Sequence, residues 1–332
     1  METRKVQVTG GSTYTVSLPK EWATDNGVSA GSIVEFHSEE DLLLLAPRRE
    51  ADRVEGVLDI SGMDEDHELT RAVMTMYVSG FDVIRLEAGR ITAAQRRIIR
   101  EAAQGLVGLE VIEETSDRVV LQDLLDSSEL SVHNAITRMR LVSLTMLEDA
   151  VEALVTDDDD LARDVKERDD DVDRLWYMVS RVFRTVLRNP TAANEIGFPR
   201  DTCFDFQSSA RQLERIADHA TKIADLSLEV GEIPASAGEP IRALQAEAGE
   251  VPEMAMDALL EEDSEEAVEL ANEARRGIRD VDERVREVDD EIREFDPQLA
   301  QVLGLVVDSL SRTADYGGNI AESALQKAAP RP

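Results

Sequence analysis

Carboxylates at helical spacing mark two short stretches of this chain as places where a hard cation could be held. In LERIADHATKIAD, Leu213 to Asp225, the acids are Glu214, Asp218 and Asp225. At ~100° per residue, all three lie within roughly 40° of one another on a helix. Leu213, Ile216, Ala217, Ile223 and Ala224 would pack its flanks. In LSRTADYGGNIAE, Leu310 to Glu322, the stripe recurs as Asp315, Asn319 and Glu322, with Ser311 and Asp308 one and two turns earlier. The two stretches align as R-x-A-D-x-x-x-x-I-A-[DE] at an offset of 97 residues. Further back, Asp171-Val172-Asp173 is echoed by Asp280-Val281-Asp282, and Pro190 by Pro297. The C-terminal half therefore reads as a duplicated unit of three helices per repeat.

The elements that would position these residues follow from periodicity. From Leu130 onward the pattern is helical: SVHNAITRMRLVSLTMLEDAVEALV, then LARDVKERDDDVDRLWYMVSRVFRTVLR up to Asn189-Pro190, then the first motif helix. Helices restart near Pro240, and Pro252 reads as another helix start, because proline suits a first turn and breaks an interior. The last helix follows Asp296-Pro297. Residues 52–123 alternate instead: VEGVLDI, FDVIRLEA, GLEVIEE and DRVVLQDL read as strands, with HELTRAVMTMYVSG and TAAQRRIIREAAQGL as covering helices. This predicts a small α/β layer that spaces or dimerises the protein. Residues 4–46 predict two hairpins, RKVQVTG with TYTVSLP and SIVEFHS with DLLLLAP, around a short helix KEWATDNG.

Composition narrows the function classes. The net charge is −34 over 332 residues, and only five of the 36 basic residues are lysine. The acid is spread along the whole chain, a pattern expected of a halophilic protein whose charge keeps it soluble in a high-salt cytoplasm. Net charge then says little about partners, and local basic spots matter more. A single cysteine, Cys203, excludes an intrachain disulfide and a cysteine-based zinc site. No apolar run approaches the ~18 residues of a membrane span, and no signal-peptide pattern opens the chain, so the expected location is cytoplasmic without membrane insertion. No histidine has Glu three residues before it, which excludes a bundle di-iron oxidase. With no nucleophile or acid/base constellation, the sequence does not read as an enzyme.

The first 48 residues resemble the AbrB/SpoVT family, through Thr15-Val16-Ser17-Leu18-Pro19-Lys20, Gly27-Val28 and Ala30-Gly31-Ser32-Ile33-Val34. The resemblance implies a swapped-hairpin β-barrel completed by a second copy, hence a homodimer. It also implies DNA contact through Arg4, Lys5, Ser12, Tyr14 and Lys20. Two of the five lysines do fall in these first twenty residues, where they can reach phosphates.

Residues 130–328 resemble the PhoU family, through L-E-R-I-A-D-H-A-x-K-I-A-D at Leu213–Asp225 and A-D-Y-x-x-N-I-A-E at Ala314–Glu322. This resemblance implies an archaeal, haloarchaeal-type phosphate-uptake regulator with metal on acidic helix faces. The matching residues are Asp169, Asp173, Glu214 and Asp218 in the first repeat, and Asp282, Asp315 and Glu322 in the second. Two helices side by side could offer four such carboxylates to one divalent or iron-type cation. Ser311 and Tyr316 stand where the family has an acid and a histidine.

The expected architecture is thus multidomain: a swapped-hairpin barrel (1–48), a small α/β domain (52–123), and tandem three-helix bundles (about 130–230 and 238–328). The expected function is DNA-binding transcription regulation of phosphate homeostasis, with bundles that sense or dock to phosphate transporter or signalling proteins. The alternative is a metal-binding adaptor whose N-terminal domain only dimerises it.

Overall fold

The computed structural model describes residues 3–39, 42–48, 53–63, 66–125, 131–189, 192–193 and 196–330. The chain forms two compact units, Met1–Arg53 and Val54–Pro332.

In the first unit, β1 (Gln7–Thr9) and β2 (Thr13–Thr15) form one antiparallel hairpin, and β3 (Val34–Glu39) and β4 (Leu42–Pro47) another, with α1 (Lys20–Asp25) between them. The first hairpin turns through Gly10 and Gly11, both at positive φ, where only glycine is unstrained. Directly opposed residues share a face. The pairing Val8↔Tyr14 therefore separates an apolar side from the side of Gln7↔Thr15 and Thr9↔Thr13. No described residue of this unit is buried. Val6, Val8, Tyr14, Val16, Ile33, Phe36, Leu42 and Leu43 are all exposed. Among the described residues the strands form two separate antiparallel pairs and not the closed barrel expected of a swapped pair.

The second unit begins with the α/β layer: β5 (Glu55–Asp59), α2 (Asp66–Val78), β6 (Val83–Glu87), α3 (Ala93–Gln104), β7 (Leu109–Glu114) and β8 (Arg118–Asp123). Strand order is β5-β6-β8-β7, with β5 and β6 parallel and the other pairs antiparallel. The crossover through α2 makes the parallel pair, and the short β7–β8 turn folds β8 back between β6 and β7. Ile84, Leu86, Val119 and Leu121 on one sheet face meet Leu69, Val73, Tyr77 and Ile99 of the two helices.

Six long helices follow: α4 (Val132–Thr156), α5 (Asp159–Arg188), α6 (Arg200–Val230), α7 (Ala235–Leu260), α8 (Ser264–Ile292) and α9 (Pro297–Ala328). Acids start several of them, since a carboxylate there accepts from free backbone N–H groups. Asp158, Asp263 and Asp296 each cap two such donors. Helices α4–α6 form one bundle and α7–α9 the other, sharing one core in which α6 packs on α9.

The expected breaks at Pro240 and Pro252 do not occur: α7 runs through both. Tertiary packing overrides the lost backbone bond. Pro252 is buried, and a Cβ on Gly317 of α9 would come within 2.6 Å of the Pro252 nitrogen. That contact requires glycine on one side and no N–H on the other.

Candidate functional site

The first-repeat carboxylates converge. On α5, Asp169 and Asp173 are one turn apart, and antiparallel α6 brings Glu214 and Asp218 beside them. The pair Lys166–Asp225, at 2.5 Å, fixes the register at one end. Glu214 is only 7% exposed, and its Oε1 takes a short ion pair from Arg211, whose guanidinium lies over the Trp176 ring. Its other oxygen, Oε2, is buried with no hydrogen-bond partner. A buried carboxylate oxygen left bare is costly, and a bound cation would satisfy it.

The electrostatics report the same crowding. Burial first, then the charges of Asp218 and Asp170, push Asp169 up to about 6. Burial and the charges of Asp169 and Asp218 push Asp173 to about 6. Burial and Asp218 raise Glu214 to about 7 against the pull of Arg211. Asp218 is raised by burial and held back by Arg211 and Arg215. Like charges this close repel unless a proton or a cation intervenes. Among the described residues, no group of three or more His, Cys, Asp or Glu side chains is placed so that it could hold a metal ion. The arrangement is a crowded acidic face with one orphaned oxygen.

Each of these acids holds its proton more tightly folded than unfolded. Their contribution is therefore favourable below the unfolded values and lost as pH rises through about 6 to 7. Chelator-treated protein is expected to melt at a higher temperature near about pH 5.5 than near about pH 8. Glu214→Gln should flatten that slope, which thermal melts across pH will measure. An unchanged slope would remove Glu214 from the account.

The second repeat differs. Asp282, Asp315 and Glu322 are all exposed. Asp315 pairs with Arg312 at 3.3 Å, and Glu322 with Arg275 at 3.9 Å. At the repeat offsets, Ile278 occupies the place of Asp169 and Ser311 that of Glu214. Between the two faces, α6 meets α9 at residues that correspond in the duplication: His219 Nε2 lies 3.3 Å from the Tyr316 hydroxyl. Gln212 accepts from Asn319 Nδ2 at 3.2 Å. The contact between His219 and Tyr316, duplicated positions at the 97-residue offset, is what a pseudo-twofold relation between the repeats would give.

In the first unit, Arg4, Lys5, Ser12, Tyr14 and Lys20 are all exposed. Ser12 sits at the tip of the first hairpin and Lys20 opens α1. Tyr14, 77% exposed, lies opposite Val8 on the apolar side.

Two consequential residues escaped the sequence reading. Arg181 of α5, 6% exposed, donates to the Tyr77 and Phe81 carbonyls at 2.8 and 2.9 Å. It also pairs with Asp82 and Asp123 at 2.7 and 2.9 Å. Tyr177, one turn earlier, packs into the core of the α/β layer. Both lie in an ordinary-looking amphipathic helix, and only their distant partners distinguish them.

Comparison with known families decides what the bundles are. Residues 136–227 match the PhoU domain family. Residues 136–227 are a PhoU domain. Residues 7–52 match the family described as "Antidote-toxin recognition MazE, bacterial antitoxin", so the N-terminal unit is MazE/AbrB-like. The phosphate-specific transport system accessory protein PhoU homolog of Pseudomonas aeruginosa is 28% identical over 182 residues, covering 53% of this chain and 73% of that protein. The crystal structure of PhoU from Pseudomonas aeruginosa superposes with a TM-score of 0.52 at 24% identity, covering 60% of this chain and 96% of that one. At that identity the likeness is one of fold, and it spans nearly the whole neighbour. The PhoU domain aligns this chain with regulatory accessory proteins and not with enzymes. Among the described residues, no helix is long and apolar enough to cross a membrane.

Proposed function

We propose that this protein is a cytoplasmic, homodimeric regulator of phosphate uptake that binds promoter DNA through its paired N-terminal units. Its PhoU domain senses or docks to phosphate transporter or signalling components. The observation that carries the reading is the union, in one chain, of a PhoU domain with an open MazE/AbrB-like unit. The hairpin of that unit has an apolar side and a hydroxyl-rich side. The apolar side suits a second copy, while Arg4, Lys5, Ser12 and Lys20 are exposed and would contact phosphates, with Tyr14 nearer the partner side.

The first-repeat carboxylates hold one divalent cation in this reading, with Asp169, Asp173, Glu214 and Asp218 as ligands. The bare Glu214 oxygen supports it. The cation would neutralise the crowded face and lock α5 to α6, a structural and sensory role. Elemental analysis of protein purified without chelator should find about one cation per chain, absent from Asp218→Ala. An empty wild type would leave only a solvated acidic face.

The deciding experiment is titration of a phosphate-transporter promoter fragment. Lys5→Glu with Lys20→Glu is expected to abolish binding while the dimer persists. Single neutral substitutions should lower the salt slope by roughly one per lost lysine contact. Undiminished binding would take these lysines out of the DNA contact, and no binding by the wild type would favour an adaptor that merely dimerises.

A further inference from the structure

The two edges of the four-stranded sheet are built differently. At β7 a bulge between Val111 and Glu113 breaks the ladder, and Glu110, Glu113 and Glu114 line the strand with charge. Bulges and charges are the usual means by which an edge refuses a further strand. β5 carries no such guard. Its register with β6 runs unshifted from Glu55↔Val83 to Asp59↔Glu87, and Glu55–Asp59 holds no lysine or proline. Its neighbours show which backbone groups are left over. The Val54 carbonyl accepts from the Asp82 and Val83 N–H groups, and the Ile60 N–H donates to Glu87. Backbone groups of the even-numbered residues therefore face β6, and those of Glu55, Val57 and Asp59 point to the open edge. All three residues are exposed, Val57 at 62%.

We propose that this edge pairs with the same edge of a second copy, antiparallel about a twofold axis at Gly56, joining the two sheets into one. Charge selects both the occupant and the register. About Gly56, Arg53 falls opposite Asp59 of the second copy, Val54 opposite Leu58, and Glu55 opposite Val57. The twofold makes each match twice. Moving the axis to Val57 would set Glu55 against Asp59, like charges directly opposed, which is destabilising. In the Gly56 register Glu55 keeps its own pair with Arg85, at 2.9 Å. Gly56 brings no side chain to the axis, because Met76 and Phe81 fill the space one would take. Strands this short pair weakly by themselves. Only residues 48–54 separate β4 from β5, so pairing of the N-terminal units would hold two β5 edges at an effective concentration on the order of mM. The inference rests on that pairing, and it makes the α/β layer the second contact of the dimer.

The test is disulfide trapping in the full-length protein under mild oxidation by diamide. Val54→Cys with Leu58→Cys should give a covalent dimer, since the two positions face each other across the axis at about 4.5 Å between Cα atoms. Within one chain they stand ~13 Å apart along the strand, beyond the reach of a disulfide. Val57→Cys alone should not be trapped, because the Gly56 axis sets the two copies of that position out of register. Adding Phe36→Asp and Leu43→Asp, which separate the N-terminal units, should abolish the trapping. Hydrogen exchange needs no cysteine: the Glu55, Val57 and Asp59 amides of wild type should exchange about tenfold more slowly than those of Phe36→Asp with Leu43→Asp. If light scattering shows a dimer that gives neither trapping nor protection, the β5 pairing is wrong and the N-terminal pairing stands. If Val57→Cys is trapped instead, the Gly56 axis is wrong. If wild type is a monomer, both pairings fall together. Should the cysteine variants not fold, the exchange comparison decides alone.

Discussion

Arg181→Leu is expected to destabilise the second unit by about 3–5 kcal/mol, the usual cost of removing one partner from a buried ion pair. Leucine would fill much of the volume, so the loss is mainly electrostatic. It leaves Asp123, whose side chain is only 8% exposed, without its cation. It also leaves the Tyr77 and Phe81 carbonyls without their guanidinium donor. The contact joins α5 to the ends of α2, β6 and β8, so the α/β layer should loosen first. Urea unfolding followed at Tyr77-containing peptides by pulsed hydrogen exchange would show the layer opening before the bundles. Adding Asp82→Asn and Asp123→Asn should recover much of the loss, because the uncompensated charges are then gone. A triple variant as unstable as Arg181→Leu alone would place the cost in packing instead. Lys at 181 is a poor substitute, since one ammonium cannot serve two carboxylates and two carbonyls in a fixed fork.

That junction also marks where reading the sequence stops. The helices were legible because each buries a single stripe at a 3.6-residue period, and the duplication was legible because R-x-A-D-x-x-x-x-I-A-[DE] recurs. The grouping of Asp169, Asp173, Glu214 and Asp218 followed from spacing and resemblance together, and in the structure their charges act on one another. What spacing could not rank is burial: Glu214 and Asp218 share a face, yet Glu214 is sealed under Arg211 and Trp176 while Asp218 keeps an edge to solvent. Pro252 misled because propensity is local, whereas the glycine that accommodates it lies on α9. Arg181 looked like any of 31 arginines, since nothing near it in sequence announces Asp82 or Asp123. The second repeat was overcredited for a related reason. Asp282, Asp315 and Glu322 keep the motif's letters, but Ile278 and Ser311 stand where the two other acids would be needed.

Phe36→Asp combined with Leu43→Asp should convert the full-length protein from dimer to monomer and weaken promoter binding by at least about 100-fold, the scale lost when two linked contacts become independent. The register fixes why this pair is decisive. Phe36 opposes Leu45 and Leu43 opposes Ser38, so the two side chains lie on one face of the β3–β4 hairpin. Both are about 60% exposed, at 58% and 62%. A unit of this size with no buried residue among those described has too little core to hold its shape in water. Its exposed apolar side chains gain ~25 cal/mol per Å² only when another surface covers them. A second copy offers the same apolar strands in return, and closure by a partner also removes the open sheet edges. Charges placed on that face would have to be desolvated in the dimer, which the association cannot offset. Light scattering at matched concentration reads the mass, and the same samples titrated with the promoter fragment read the affinity. Should the double variant remain a dimer, pairing runs through the second unit, and the open strand faces of residues 3–48 would need a different partner.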